Sequence, residues 1–278
     1  MNYQTISVMV PWDCNNNCPF CVSKAEYRNC KFNMELTKQN LNKYCYIKEC
    51  SDVVFTGGEP LANLNNLNEL IKVIPKDNRH KIFINTSLPP MELKDFTNLI
   101  VNIANWSKPG HWDYNTRLRG LNISHHIGNY TKIDENFDEK IQALSEITSV
   151  RLNCVLYDNP NLTEDDVLRY IEKYSDYNIQ FRKDYTTVTL ENLYDLANDK
   201  WFNFFNKLGK DQQSIEGSNF RWNYRPTDKI SYHVTLPYST VNGQVNDVVI
   251  HPDGSIRTDW EKHSPLLDLS DRVYVRNL

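Results

Sequence analysis

An α/β fold with a parallel sheet and covering helices is predicted by two observations. Short apolar runs of strand length recur along the chain, and between them lie segments whose apolar residues repeat at helical spacing. The alternation holds to about residue 210, after which turns and short strand-like runs take over. The chain therefore divides into an α/β body at 1–210 and a small β extension at 211–278.

Residues 5–12 (TISVMVPW) read as the first strand and lead directly into the first cysteines. Residues 37–49 carry Leu41, Tyr44 and Cys45 at helical spacing, with Thr37 as N-cap. Residues 52–55 (DVVF) form a buried-type strand, and 64–74 place Leu64, Leu67, Leu70, Ile71 and Ile74 on one helical face. Strands at 81–85, 121–124, 150–156 and 179–182 follow, with helices at 134–148, 163–174 and 190–208. A further strand-like run at 99–104 precedes an aromatic and basic loop at 107–119. In the extension, 229–237 and 245–251 have strand character, Asn242 and Gly243 form a turn, and His251-Pro252-Asp253-Gly254 turns the chain before 255–260.

Composition narrows the function classes. Of 278 residues 40% are hydrophobic, and 16 Tyr, 11 Phe and 6 Trp supply bulk for a sizeable core, which excludes disorder over most of the chain. The net charge of −4 gives no broad attraction to nucleic acid or anionic membrane. No run of about 18 apolar residues exists, and the N-terminus has neither the basic region nor the apolar run of a secretion signal. The expectation is a cytoplasmic protein whose seven cysteines are thiols or metal ligands rather than disulfides.

The cysteines are unevenly placed. Cys14, Cys18 and Cys21 lie in CNNNCPFC, a C-x3-C-x2-C spacing on a loop directly after a strand, where three thiolates can converge on a soft metal centre. Three buried thiols are the bland alternative. A structural zinc site, with Cys30 or a distant His as fourth ligand, is another. Cys45, Cys50 and Cys154 read as ordinary buried thiols. Further along, Gly57, Gly58, Glu59 and Pro60 end the second strand, which alone would pass as a turn before a helix.

Together, C-x3-C-x2-C with an aromatic before the last cysteine and a following GGEP resemble the radical S-adenosylmethionine (radical SAM) superfamily. The resemblance implies a partial (β/α)6 TIM-like barrel with the site at the C-terminal ends of its strands, and a small C-terminal β-hairpin extension. It implies a [4Fe–4S] cluster ligated by Cys14, Cys18 and Cys21, with the fourth iron left open for the amino and carboxylate groups of SAM. Reduction of the cluster then cleaves SAM to methionine and a 5′-deoxyadenosyl radical, which abstracts hydrogen from a substrate. In the same way Glu59 is expected to accept from the methionine ammonium, with Gly57, Gly58 and Pro60 shaping that turn, and Phe20 to pack at the adenine. Asn85, Ser124, Asn153 and Arg182, at or near the ends of the third to sixth strands, complete the expected cofactor-binding set, the last within an IRF-like segment of the molybdenum-cofactor cyclase branch.

Residues 249–260 resemble the hairpin of twitch and SPASM extensions, but Thr258 and Asp259 stand where relatives carry a cysteine, and no cysteine follows Cys154. One cluster is therefore expected, with no auxiliary one. Candidate substrate walls are 106–119, including His111, Arg117 and Arg119, the pair His125 and His126, and the C-terminal extension. The implied partners are a nucleotide or other small phosphorylated metabolite, or a peptide, and an external electron donor such as flavodoxin or ferredoxin. No membrane is implied, and nucleic acid is disfavoured by the charge. A radical methyl or alkyl transferase, or a non-catalytic Zn or Fe–S interaction module, are the alternatives.

Overall fold

The computed structural model describes residues 4–14, 16–27, 30–47, 51–75, 79–95, 97–98, 118–128, 135–157, 161–209, 214–217, 221–236, 240–241, 244–245 and 248–267. Six strands run in parallel: β1 (Gln4–Val10), β2 (Ser51–Gly57), β3 (His80–Thr86), β4 (Leu118–Ser124), β5 (Ser149–Leu156) and β6 (Asn178–Lys183). Helices α1 (Val22–Tyr27), α2 (Met34–Ile47), α3 (Leu64–Lys72), α4 (Phe137–Ser145), α5 (Glu164–Lys173) and α6 (Lys200–Leu208) lie between or after them. The architecture is the predicted partial (β/α)6 barrel.

The later strands do not form a separate layer. β7 (Ser214–Gly217), β8 (Arg221–Arg225) and β9 (Ile230–Thr235) are an antiparallel run whose last member pairs parallel to β6. After the short β10 (Thr240–Val241) and β11 (Gln244–Val245) pair, β12 (Val248–Ile250) joins the opposite edge parallel to β1, and β13 (Ile256–Arg257) folds back on it. The result is a sheet of eleven strands in the order β13-β12-β1-β2-β3-β4-β5-β6-β9-β8-β7.

Strand alternation separates two faces. Ile6, Val8, Val53, Phe55, Ile82, Ile84, Leu121, Ile123, Leu152 and Phe181 are buried in one cluster with the helix residues Leu41, Leu67, Ile141 and Val167. The other parity presents Asn85, Asn122, Arg151, Asn153, Gln180 and His233. This inner face is polar where a closed barrel would be filled with apolar side chains.

Several boundaries move for identifiable reasons. Asn33 rather than Thr37 caps α2, its Oδ1 accepting from Leu36 N at 3.2 Å. A helix at 190–208 is not formed: only Lys200–Leu208 is helical, because Asp199 caps it through Phe202 N at 2.7 Å and turns precede it. Arg119 belongs to β4 and not to a loop, and residues 245–251 split between β11 and β12. The readings at 99–104, 106–117, Cys50 and 242–243 lie outside the described residues.

Candidate functional site

The cysteine loop is held from both sides. β1 delivers the chain to it, and α1, which hydrophobic periodicity had not revealed, begins at Val22 immediately after Cys21. Within the loop Cys21 N donates to Cys18 O at 3.3 Å, and Lys24 Nζ from α1 donates to Asn16 O. All three thiols are partly buried. Burial and then the neighbouring Cys21 and Cys14 push the Cys18 thiol up to about 11; burial also raises Cys14, with Glu59 and Cys21 adding to the effect. Burial and neighbouring thiols thus oppose ionisation of Cys14 and Cys18. A cationic iron centre reverses that opposition by stabilising thiolates.

Among the described residues no three Cys, His, Asp or Glu side chains share the reach of a single ion. An iron–sulfur cube does not require it, since each thiolate binds a different iron. The donor set fits such a group in ligand type and in its position on one loop.

The Gly57–Pro60 turn interlocks with this loop. Gly57 has φ +114°, and a Cβ there would meet Val10 O at 2.4 Å; at Gly58 it would meet Trp12 O at 1.9 Å. Main-chain bonds from Gly58 N to Val10 O (2.7 Å) and Glu59 N to Trp12 O (3.0 Å) make the contact. At both positions the space a Cβ would take is held by main chain at and just after the end of β1.

Glu59 is buried, and its carboxylate is saturated. Oε1 accepts from Leu61 N at 2.9 Å and Thr86 Oγ1 at 2.6 Å, while Oε2 accepts from Ser87 N at 2.7 Å and Ser87 Oγ at 2.6 Å. It ties the end of β2 to the end of β3, so an arriving ammonium must replace one of these donors. Ser87, which the motif reading had not singled out, supplies two of these four donors.

The polar residues at the strand ends share the inner face. Asn122 Nδ2 donates to Asn85 Oδ1 at 2.8 Å, Ser124 is in register with Asn153, and Asn153 with Gln180. Asn153 Oδ1 is buried with no hydrogen-bond partner, an acceptor aimed at this face. Arg182 donates to Gln180 Oε1 from Nε (3.4 Å) and Nη2 (3.3 Å). Gln180 Nε2 in turn lies 2.8 Å from His233 Nε2, a residue of the extension that strand-end motifs gave no reason to select.

Phe20 packs edge-on against His126 (4.9 Å between centroids) and beside Tyr157 (5.7 Å), so its ring anchors the loop. The two histidines diverge. His126 Nδ1 accepts from Val155 N at 3.1 Å, whereas His125 stacks on Phe137 at 4.5 Å among the covering helices. Burial first, then Cys21 and Asp184, push the phenol of Tyr185, just after β6, well up.

The β12–β13 hairpin clasps α1. Tyr27 OH bonds His251 Nδ1 and Trp260 O at 2.5 Å each, and His251 Nε2 lies 2.7 Å from Asp259 O. Asn40 Nδ2 donates to Gly254 O at 2.8 Å. Thr258 and Asp259 are buried at the hairpin, so this stretch braces the helix that follows Cys21.

The comparisons agree with this geometry. A family model described as a 4Fe–4S single cluster domain matches residues 6–116, a span that holds the cysteine loop and the Gly57–Pro60 turn. Among solved structures, native anSMEcpe with bound AdoMet and Cp18Cys peptide is similar with a TM-score of 0.53 at 15% identity, over 92% of this chain and 74% of that one. SuiB of Streptococcus suis bound to S-adenosylmethionine is similar with a TM-score of 0.56 at 12% identity, over 92% of this chain and 60% of that one. No curated protein matches the sequence. The fold is thus a partial barrel of the radical SAM type.

Proposed function

We propose that this chain is a radical SAM enzyme in which Cys14, Cys18 and Cys21 hold one [4Fe–4S] cluster and the inner face binds SAM and a substrate. The C-x3-C-x2-C loop after β1, interlocked with Gly57–Pro60 by main-chain bonds, carries this reading. The chemistry such a cluster supplies when bound is reductive cleavage of SAM to methionine and a 5′-deoxyadenosyl radical that takes a hydrogen atom from the substrate.

The chain's own part is positioning. Three ligands and no fourth from the loop leave one iron for SAM. Glu59 and Ser87 stand at the methionine end, while Asn85, Ser124, Asn153 and Arg182 offer donors and acceptors to the carboxylate and ribose. The bonds around Glu59 fix the turn before any ligand arrives, and the methionine ammonium exchanges with one of its donors on binding. The substrate is a small molecule or a peptide, and the electron comes from an external carrier of the flavodoxin or ferredoxin class.

Anaerobic reconstitution with iron and sulfide tests the reading. A [4Fe–4S] absorption band, together with 5′-deoxyadenosine formed from SAM and dithionite, is the expected result. Cys18→Ala should abolish both. One tightly bound zinc without SAM turnover would instead establish an interaction module.

A further inference from the structure

At the opposite end of the inner face from the cysteines lies a cavity of about 240 Å³. It is lined by Asn122, Arg151, Gln180, Arg225 and His233, and also by Ser149 and Asn178, the first residues of β5 and β6. We propose that this cavity binds an oxyanion, the phosphate or carboxylate group of a ligand, with Arg151 and Arg225 as its anchors.

Charge and hydrogen bonding both point that way. Arg151 is the third residue of β5, and its Nε is buried with no hydrogen-bond partner. No carboxylate pairs with Arg151 or Arg225 among the described residues. Arg151 is half-buried and Arg225 exposed, so the two differ in burial, but a buried N–H without an acceptor is costly and a bound oxyanion supplies one. Arg151, Arg225 and His233 line the cavity together; burial first, then the arginine charges, push His233 down to about 2, so its ring is neutral and adds no charge of its own.

The other lining groups shape the site rather than neutralise it. Asp228 is the carboxylate on the rim, and Lys229 contributes its stem, since its Nζ donates to Ser175 O at 2.9 Å and Asp176 O at 3.4 Å. The volume is below the roughly 300–1,000 Å³ of pockets that enclose a drug-sized ligand, so it suits one anionic group of a larger molecule. Arg151 is two residues before Asn153 on the same face, a step of about 7 Å. A ligand anchored by its anion here would therefore extend toward the cysteine end. That the anion belongs to the substrate rests on the proposed function; anion binding by the cavity does not.

Calorimetric titration of the full chain, without cluster or SAM, with inorganic phosphate and separately with succinate tests the inference. Saturable binding of at least one probe is expected, weakened about tenfold by Arg151→Gln and by the more exposed Arg225→Gln, as loss of one charge-assisted bond requires. Asp228→Asn should tighten it by removing a repulsive charge. The stronger probe identifies the group as phosphoryl or carboxylate. Failure of both probes to bind, or binding unaltered in both arginine variants, overturns the inference. If phosphate binds but SAM is never cleaved, the proposed function falls and the anion site stands. Cleavage with no binding of either probe sinks the anion site alone.

Discussion

The two ends of the inner face are built on opposite principles. At the cysteine end the backbone does the positioning: Gly57 and Gly58 press on β1, and Glu59 has all four acceptor positions occupied. At the arginine end the work falls to side chains from strands far apart in sequence, and groups such as Arg151 Nε are left unanswered. Saturation makes a rigid frame that holds other ligands in place. Unsatisfied charge makes a site that has something to gain from a ligand of its own.

The sharpest way to break this contrast is Gly58→Ala. Its Cβ would stand 1.9 Å from Trp12 O, a main-chain atom with no room to withdraw. Loss of about 3 kcal/mol or more of stability in urea unfolding is expected, with iron retention falling alongside. Wild-type stability in this variant would show that the interlock is dispensable.

Glu59→Gln should cost less, about 2 kcal/mol, because one amide NH2 must then face donors from Leu61 and Thr86 or from Ser87. A thermal melt that matches the wild type would refute the framing role given to this carboxylate.

Acid supplies the next test. Burial pushes both His125 and His126 from 6.5 down to about 4, so the unfolded chain binds their protons first. Stability from these groups is complete above pH 6.5 and drains away as pH falls toward 4. Protonation also removes the His126 Nδ1 acceptor from Val155 N. The melting temperature should drop through that window, and His126→Gln should flatten part of the slope.

The smallest effect on folding is expected from Asn153→Ala. Deleting a buried acceptor that has no partner leaves stability within about 0.5 kcal/mol, yet SAM affinity should fall about tenfold if this amide meets the cofactor. Equal SAM binding would remove Asn153 from the site.

Much of this was legible in the chain itself. The order of strands, the cysteine loop and the Gly57–Pro60 turn are local signals, carried by alternation, spacing and residue type, and the parallel strands then bring Asn85, Ser124, Asn153 and Arg182 onto one face at the ends where the motifs lie. Less local features were not. α1 is six residues long, too short to show a helical period, and Ser87 meets Glu59 through folding rather than through sequence proximity. Residues 190–199 mimic a helix in their apolar content but are broken by side-chain caps and turns.

What the sequence settled alone is that three thiols lie within eight residues on one loop after a strand, because their spacing is local. Only the tertiary structure decided what each neighbour does. The glycines serve β1, Glu59 serves its own turn, and His233 reaches Gln180 across 53 positions of chain. Those assignments depend on which strands lie side by side, and pairing of β6 with β9 is a long-range choice made by burial and register rather than by local propensity.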